Sequence, residues 1–137
     1  MSISVFSGQG VNYIDELHKN ISFVKQITID DIPNESNYHL PEFSYPWNFL
    51  VQMSKVNNFN IDFTGYSSGM CSAVVASMDG NFIDNCKLMY IFLKHYGKNL
   101  NKYLQKDSCM IISKVKIIPF RALRILSAHV ANNKFPR

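Results

Sequence analysis

Ser67 stands in the run Gly65-Tyr-Ser-Ser-Gly69, directly after Asn60-Ile-Asp-Phe-Thr64 and directly before a stretch of small residues. The spacing reads as a strand that delivers a serine into a Gly-x-Ser-x-Gly turn and then a helix, the layout of a nucleophile elbow. Such a turn strains the serine backbone, and a glycine on either side keeps side chains off the tight chain. The hydroxyl is thereby lifted clear at the top of a sheet, where it can form an acyl-enzyme. A lone Gly-x-Ser-x-Gly also fits an ordinary strand–turn–helix, so the neighbouring elements must carry the argument.

A second loop strengthens it. Ser7-Gly8-Gln9-Gly10 follows the first apolar run, Ser2 to Phe6. In a parallel sheet the loops after two neighbouring strands meet at one edge, where open α/β sheets hold ligands. The backbone N–H of Gln9 then faces that of Ser68, and two such donors make an oxyanion hole for a tetrahedral intermediate.

The two motifs in this order resemble the acyl-CoA:acyl-carrier-protein acyltransferase family, whose members open with a strand and a Gly-Gln-Gly loop and then carry a Gly-His-Ser-x-Gly elbow. Here the loop is Phe6-Ser-Gly-Gln-Gly10 and the elbow is Gly65-Tyr-Ser-Ser-Gly69. The stretch from Asn81 to Gly97 is similar to a helix of the acetyltransferase domain of the fungal type I fatty acid synthase beta subunit. Met110 to Val115 looks like the first strand of that domain's ferredoxin-like subdomain, and Phe120 to Val130 like its helix. The resemblance implies an α/β fold: the front part of an α/β-hydrolase-like acyltransferase core with a parallel sheet at 1–106, and the beginning of a small ferredoxin-like subdomain at 107–137. It implies acyl transfer in fatty acid or polyketide synthesis, with Ser67 as nucleophile, Gln9 and Ser68 as the oxyanion hole, and Gly8, Gly10 and Tyr66 against the substrate. Acyl-CoA is the implied donor, a carrier protein or synthase chain the implied partner, and neither a bound cofactor nor a metal is expected.

Two departures bear on substrate. Tyr66 stands where the family places histidine, which changes the polarity beside the nucleophile. No arginine occurs around His95 to Lys98, so the resemblance favours an uncharged acyl group such as acetyl over a carboxylated one. Lys94 or Lys98 would replace a guanidinium only as a point charge, without its fork.

A serine nucleophile also needs a base, most often histidine. The resemblance puts that histidine beyond the small subdomain, past residue 137. Of the four present, His129 falls in the last predicted helix and is the candidate base within the chain. His95 sits on a lysine-rich helix, and His18 and His39 precede the elbow without motif support.

Charge is divided along the chain. Residues 1–86 hold three lysines against nine acidic residues, and residues 87–137 hold eleven Lys and Arg against Asp107 alone. Lys94, Lys98, Lys102 and Lys106 recur every fourth residue and form one drifting stripe on a helix. The plain interpretation is a solvated face. The sharper one is a docking surface for a polyanion, in which Lys94, Lys98 and Lys102 meet coenzyme A phosphates or an acidic carrier. Nucleic acid ranks last, because the aromatics are not interleaved with the stripe and no nucleic-acid module is recognisable.

The elements that must position these groups follow from periodicity and turn residues. Helices are expected over Asp15 to Phe23, over Pro46 to Val56 with Trp47, Leu50 and Val51 inward, and over Ser68 to Met78. A long helix is expected over Phe82 to Leu104, kinked at Gly97, and a last one begins at Pro119. Strands are expected at Ser2 to Phe6, Phe59 to Phe63 and Cys109 to Ile118, with a loop over Ile27 to Phe43. The run Leu88 to Leu93 reads as a buried helical segment, too short to span a membrane. An odd set of cysteines, Cys71, Cys86 and Cys109, without metal-type spacing, suits reduced thiols near the core of a cytoplasmic protein.

Two other functions fit the same residues. A catalytically silent fragment would serve as a binding module for a carrier or synthase partner. A small serine hydrolase would need an acid and then a histidine after Ser67, and the acids downstream are few. A partial fold predicts exposed apolar surface and association with itself or with a partner.

Overall fold

The computed structural model describes residues 2–8 and 12–103. Gln9, Gly10, His129, Cys109 and the expected small subdomain at 107–137 lie outside the described residues. Within them, helices and strands mix around a two-stranded parallel sheet, an arrangement of the α/β class.

The sheet is built from β1 (Ile3–Phe6) and β2 (Asp62–Gly65). Their register pairs Ile3 with Asp62 and Phe6 with Gly65, so both strands end at the same edge. Alternation then divides the faces. Phe6 is buried and stacks on Phe63 with ring centroids 5.8 Å apart. Ile3 and Val5 point the other way and are 58% and 68% exposed.

β2 begins three residues later than its composition suggests. Asn58 Oδ1 accepts from the Asn60 N–H at 2.9 Å, closing a local turn that competes with sheet pairing. Phe59 instead packs edge-on against Phe82 at 4.9 Å.

The single helix expected from Asp15 is two: α1 (Ile14–Lys19) and α2 (Ile21–Ile27). Asn20 makes the break. Its side-chain amide and its backbone N–H both donate to the Glu16 carbonyl, which ends α1, while its own carbonyl accepts from Phe23 and Val24 and starts α2. This use of asparagine's short polar side chain suits a helix end far better than a helix interior.

α3 (Pro41–Ser54) starts five residues before the expected Pro46. Pro41 occupies the first turn, where a missing N–H costs nothing, and the Leu40 carbonyl takes the Phe43 and Ser44 amides. Pro46 therefore sits inside the helix, its ring buried. Trp47, Leu50 and Val51 do face inward, joined by Phe49 and Met53.

α4 (Gly69–Ser77) leaves the elbow and ends one residue before Met78, and the break continues through Gly80 at φ 100°. Asn81 Oδ1 then accepts from the Asp84 N–H at 3.0 Å and opens α5 (Phe82–Tyr103). α5 runs unbroken through Gly97. That glycine serves a close crossing rather than a kink: a Cβ there would run into the Pro41 carbonyl, with Glu42 Cα 2.7 Å away. The inward face of α5 carries Cys86, Tyr90 and Leu93, with Tyr90 edge-on to Trp47 at 5.6 Å.

The run Leu88 to Leu93 is not buried as a block. Leu88, Ile91 and Phe92 are 68%, 53% and 57% exposed, while Tyr90 and Leu93 are in the core. Cys86 is fully buried and its thiol is pushed up to about 12 by burial, which leaves it inert. Cys71 is half-buried, and its thiol is raised by the same cause.

Candidate active site

The elbow forms where β2 meets α4. Ser67 has φ 54°, the left-handed region that side-chain-bearing residues avoid, and it is the one non-glycine with positive φ among the described residues. The turn is closed by local hydrogen bonds: the Gly69 N–H donates to the Tyr66 carbonyl at 2.9 Å and the Met70 N–H to the Ser67 carbonyl at 3.1 Å. The Tyr66 N–H donates to the Phe6 carbonyl at 3.0 Å, which ties the turn to the end of β1.

Both flanking glycines are required by contact. A Cβ on Gly65 would collide with the Gly69 carbonyl group and lie 2.5 Å from the Met70 nitrogen. A Cβ on Gly69 would collide with the Phe6 carbonyl oxygen and lie 2.6 Å from that of Ser7. Cβ atoms do not come this close to backbone atoms, so a side chain at either position forces the strand, turn and helix apart.

The loop after β1 comes to the same place. A Cβ on Gly8 would stand 3.2 Å from the Ser67 Cβ and 3.3 Å from the Tyr66 carbonyl oxygen. The Tyr66 ring is 74% exposed beside this point. Ser67 itself is exposed, and Ser68, half-buried, stands at the N-terminal end of α4 without a side-chain capping bond. Among the described residues no hydrogen bond engages the Ser68 N–H.

Three polar side chains hold this loop, and motif reading missed all of them. Gln52 Nε2 donates to the Ser7 carbonyl at 2.7 Å. The buried Ser72 hydroxyl donates to Gln52 Oε1. Asn48 Nδ2 donates to the Gly8 carbonyl at 3.5 Å. Asn48 and Gln52 are one turn apart on α3, and Ser72 lies one turn into α4. The one available signal was their spacing: two amides at i and i+4 on the flank of a helix whose other side is core.

The described histidines lie on other elements. His18 ends α1, His39 precedes α3 with its ring edge-on to Tyr38 at 5.9 Å, and His95 is on α5; all three are exposed. Among the described residues none hydrogen-bonds Ser67.

The lysine stripe is divided in role. Lys94 Nζ lies 2.5 Å from Asp30 Oδ2, which also accepts from the Tyr90 hydroxyl at 2.8 Å. That contact with Lys94 is the main cause holding the Asp30 carboxyl below its ordinary range. Lys98 and Lys102 are exposed.

No described helix is long and apolar enough to cross a membrane, and no cluster of three or more His, Cys, Asp or Glu side chains among the described residues suits a metal ion. Comparison with protein-family models, with curated proteins and with solved structures returned no match.

Proposed function

We propose that this chain is the front part of a serine acyltransferase that takes an acyl group from acyl-CoA and passes it to a carrier protein in the cytoplasm. One observation carries the reading: Ser67 holds a left-handed backbone between two glycines that tolerate no side chain, with Gly8 packed against it. A strained serine costs stability that an ordinary strand–turn–helix has no reason to spend, and such strain collects at functional sites.

In this reading the Ser67 hydroxyl attacks the thioester carbonyl and its proton passes to a base. The carbonyl oxygen becomes an oxyanion, held by the N–H groups of Ser68 and Gln9. The tetrahedral intermediate collapses, the C–S bond breaks, and the CoA thiolate takes the proton as it leaves. The carrier's thiol then repeats the sequence in reverse. The base is His129 or a histidine of a partner chain, since none of the described histidines hydrogen-bonds Ser67. Tyr66 borders the acyl group, and Lys98 and Lys102 face the donor's phosphates or the carrier. The core at 1–106 and the ferredoxin-like subdomain from 107 belong to the same reading.

The test is transfer itself. The purified chain is incubated with acetyl-, malonyl- and longer acyl-CoAs and a pantetheinylated carrier, and the carrier's mass is followed. Acylation of the carrier above the uncatalysed rate supports the reading, and the preferred acyl group names the substrate. A folded chain that leaves the carrier unmodified, with and without a histidine-bearing partner chain, sinks it.

A second reading, a binding module without catalysis, draws on the sheet. Parallel sheets normally have both faces covered, and one face of this sheet leaves Ile3 and Val5 exposed beside Asp62 and Thr64. Retention of the carrier on the immobilised chain, with no acylation of the carrier, would favour it.

A further inference from the structure

α5 and the segment after α2 border a groove of about 550 Å³ well separated in sequence from the elbow. Its one acid, Asp30, is already satisfied, held by the Tyr90 hydroxyl and the Lys94 ammonium. That pair neutralises itself and fixes the segment 28–30 against α5. Three more lysines line the groove, Lys25, Lys87 and Lys98, together with His95. Lys87 has only a distant exposed partner, Asp84 at 4.0 Å, of the kind worth little. Lys25 and Lys98 form no ion pair among the described residues. The groove therefore carries a net positive field after its internal pair is counted.

The walls are apolar as well as basic. Ile29 is 99% exposed and Ile91 53% exposed, and both line the groove. Leu88 continues the apolar strip one turn back along α5. A single exposed isoleucine is ordinary; here two border one basic groove, with Leu88 beside Ile91, and give it an apolar rim.

Spacing decides what that is. Lys87 and Lys98 are eleven residues apart on one helix, about 16 Å along its axis. Cations so spread do not converge on one phosphate group. They suit an elongated partner that presents negative charges along its length and apolar side chains between them. We propose that this groove docks an acidic amphipathic helix of a partner protein. Its apolar face lies on Ile29 and Ile91, and its carboxylates reach Lys25, Lys87 and Lys98. The inference shares Lys98 with the face proposed above for the donor or carrier, but it is argued from the groove and does not rest on acyl transfer.

The probe is a fluorescein-labelled synthetic helix with leucines at helical spacing flanked by glutamates, titrated with the full chain and followed by anisotropy. Controls are the same peptide with lysine for every glutamate, and a single-stranded RNA of similar length. The acidic peptide is expected to bind, to weaken as salt is raised, and to lose about tenfold or more in affinity with Lys25→Glu/Lys98→Glu. Ile29→Asp, at a position with no packing to lose, is expected to weaken it separately. Unchanged melting curves for these surface variants guard against misfolding. The proposal is overturned if the acidic peptide does not bind, or if binding ignores both variants. It is overturned equally if RNA binds better and is insensitive to Ile29→Asp, or if the lysine variant instead dissolves a dimer of the chain itself.

Discussion

Gly8 lies against Ser67, although 59 positions separate them in the chain: a Cβ on the glycine would stand 3.2 Å from the serine Cβ. The parallel register produces this contact. Phe6 and Gly65 are paired, so both strands end together and release their loops over the same edge. Open α/β sheets hold their ligands at such an edge. Donors on the first loop can therefore face a serine on the second.

The strain at Ser67 has a measurable consequence. Glycine adopts φ 54° without penalty, so Ser67→Gly is expected to stabilise the chain by about 0.5–1 kcal/mol, the strain relieved less glycine's entropy. The same change removes the hydroxyl and with it any acyl adduct. Urea unfolding of the two proteins reads the difference. A destabilised variant would mean that the backbone at 67 is not strained.

Gly65→Ala and Gly69→Ala are each expected to destabilise the chain by about 2–3 kcal/mol, since the new methyl meets backbone rather than a flexible side chain. Gly8→Ala, where the nearest atoms stand beyond 3 Å, is expected to cost less. Equal melting temperatures for all three alanine variants would contradict the geometry.

Gln52 and Ser72 act as a pair. Gln52→Ala leaves the buried Ser72 hydroxyl without its acceptor and releases the Ser7 carbonyl, at a cost of about 1–3 kcal/mol. Adding Ser72→Ala removes the orphaned hydroxyl, so the double variant is expected to be less destabilised than the sum of the singles. A double-mutant cycle in chemical denaturation measures the coupling, and strict additivity would show that the two do not interact. Gln52→Ala should also slow adduct formation at Ser67, because the loop it anchors carries Gly8.

The Asp30 carboxyl is held below its ordinary value chiefly by Lys94, with Tyr90 assisting. A carboxylate depressed in the fold contributes stability above its unfolded value of about 3.9, and loses it as pH falls through the lower folded value. The pair is partly solvated, so the contribution is under about 1 kcal/mol. Asp30→Asn is expected to lower the melting temperature at neutral pH and to converge with the parent in strong acid. A constant gap at every pH would show that the charge plays no part.

What the sequence reveals is what is local. Five consecutive residues specify the elbow, and the strained Ser67 between two indispensable glycines agrees with that motif. The small residues of α4 likewise announce a helix that packs closely. Asn48 and Gln52 were invisible for the opposite reason: their partners lie 40 and 45 positions away. Pro46 misplaced the start of α3 because proline usually marks a first turn, and Pro41 already filled that role. Leu88 to Leu93 misled because a continuous apolar run has no periodicity to separate inward Leu93 from outward Phe92. Asn20 divided a helix through one side-chain hydrogen bond, too local for a window average to register.

The proposed function requires Ser67 to accept an acyl group. Its most direct test is the intact mass of the chain after incubation with acyl-CoA, beside Ser67→Ala, with circular dichroism on both. One added acyl mass is expected on the parent, mapped to the peptide containing Ser67, and none on the variant. An unmodified but folded parent, or the same adduct on Ser67→Ala, would contradict the proposed function.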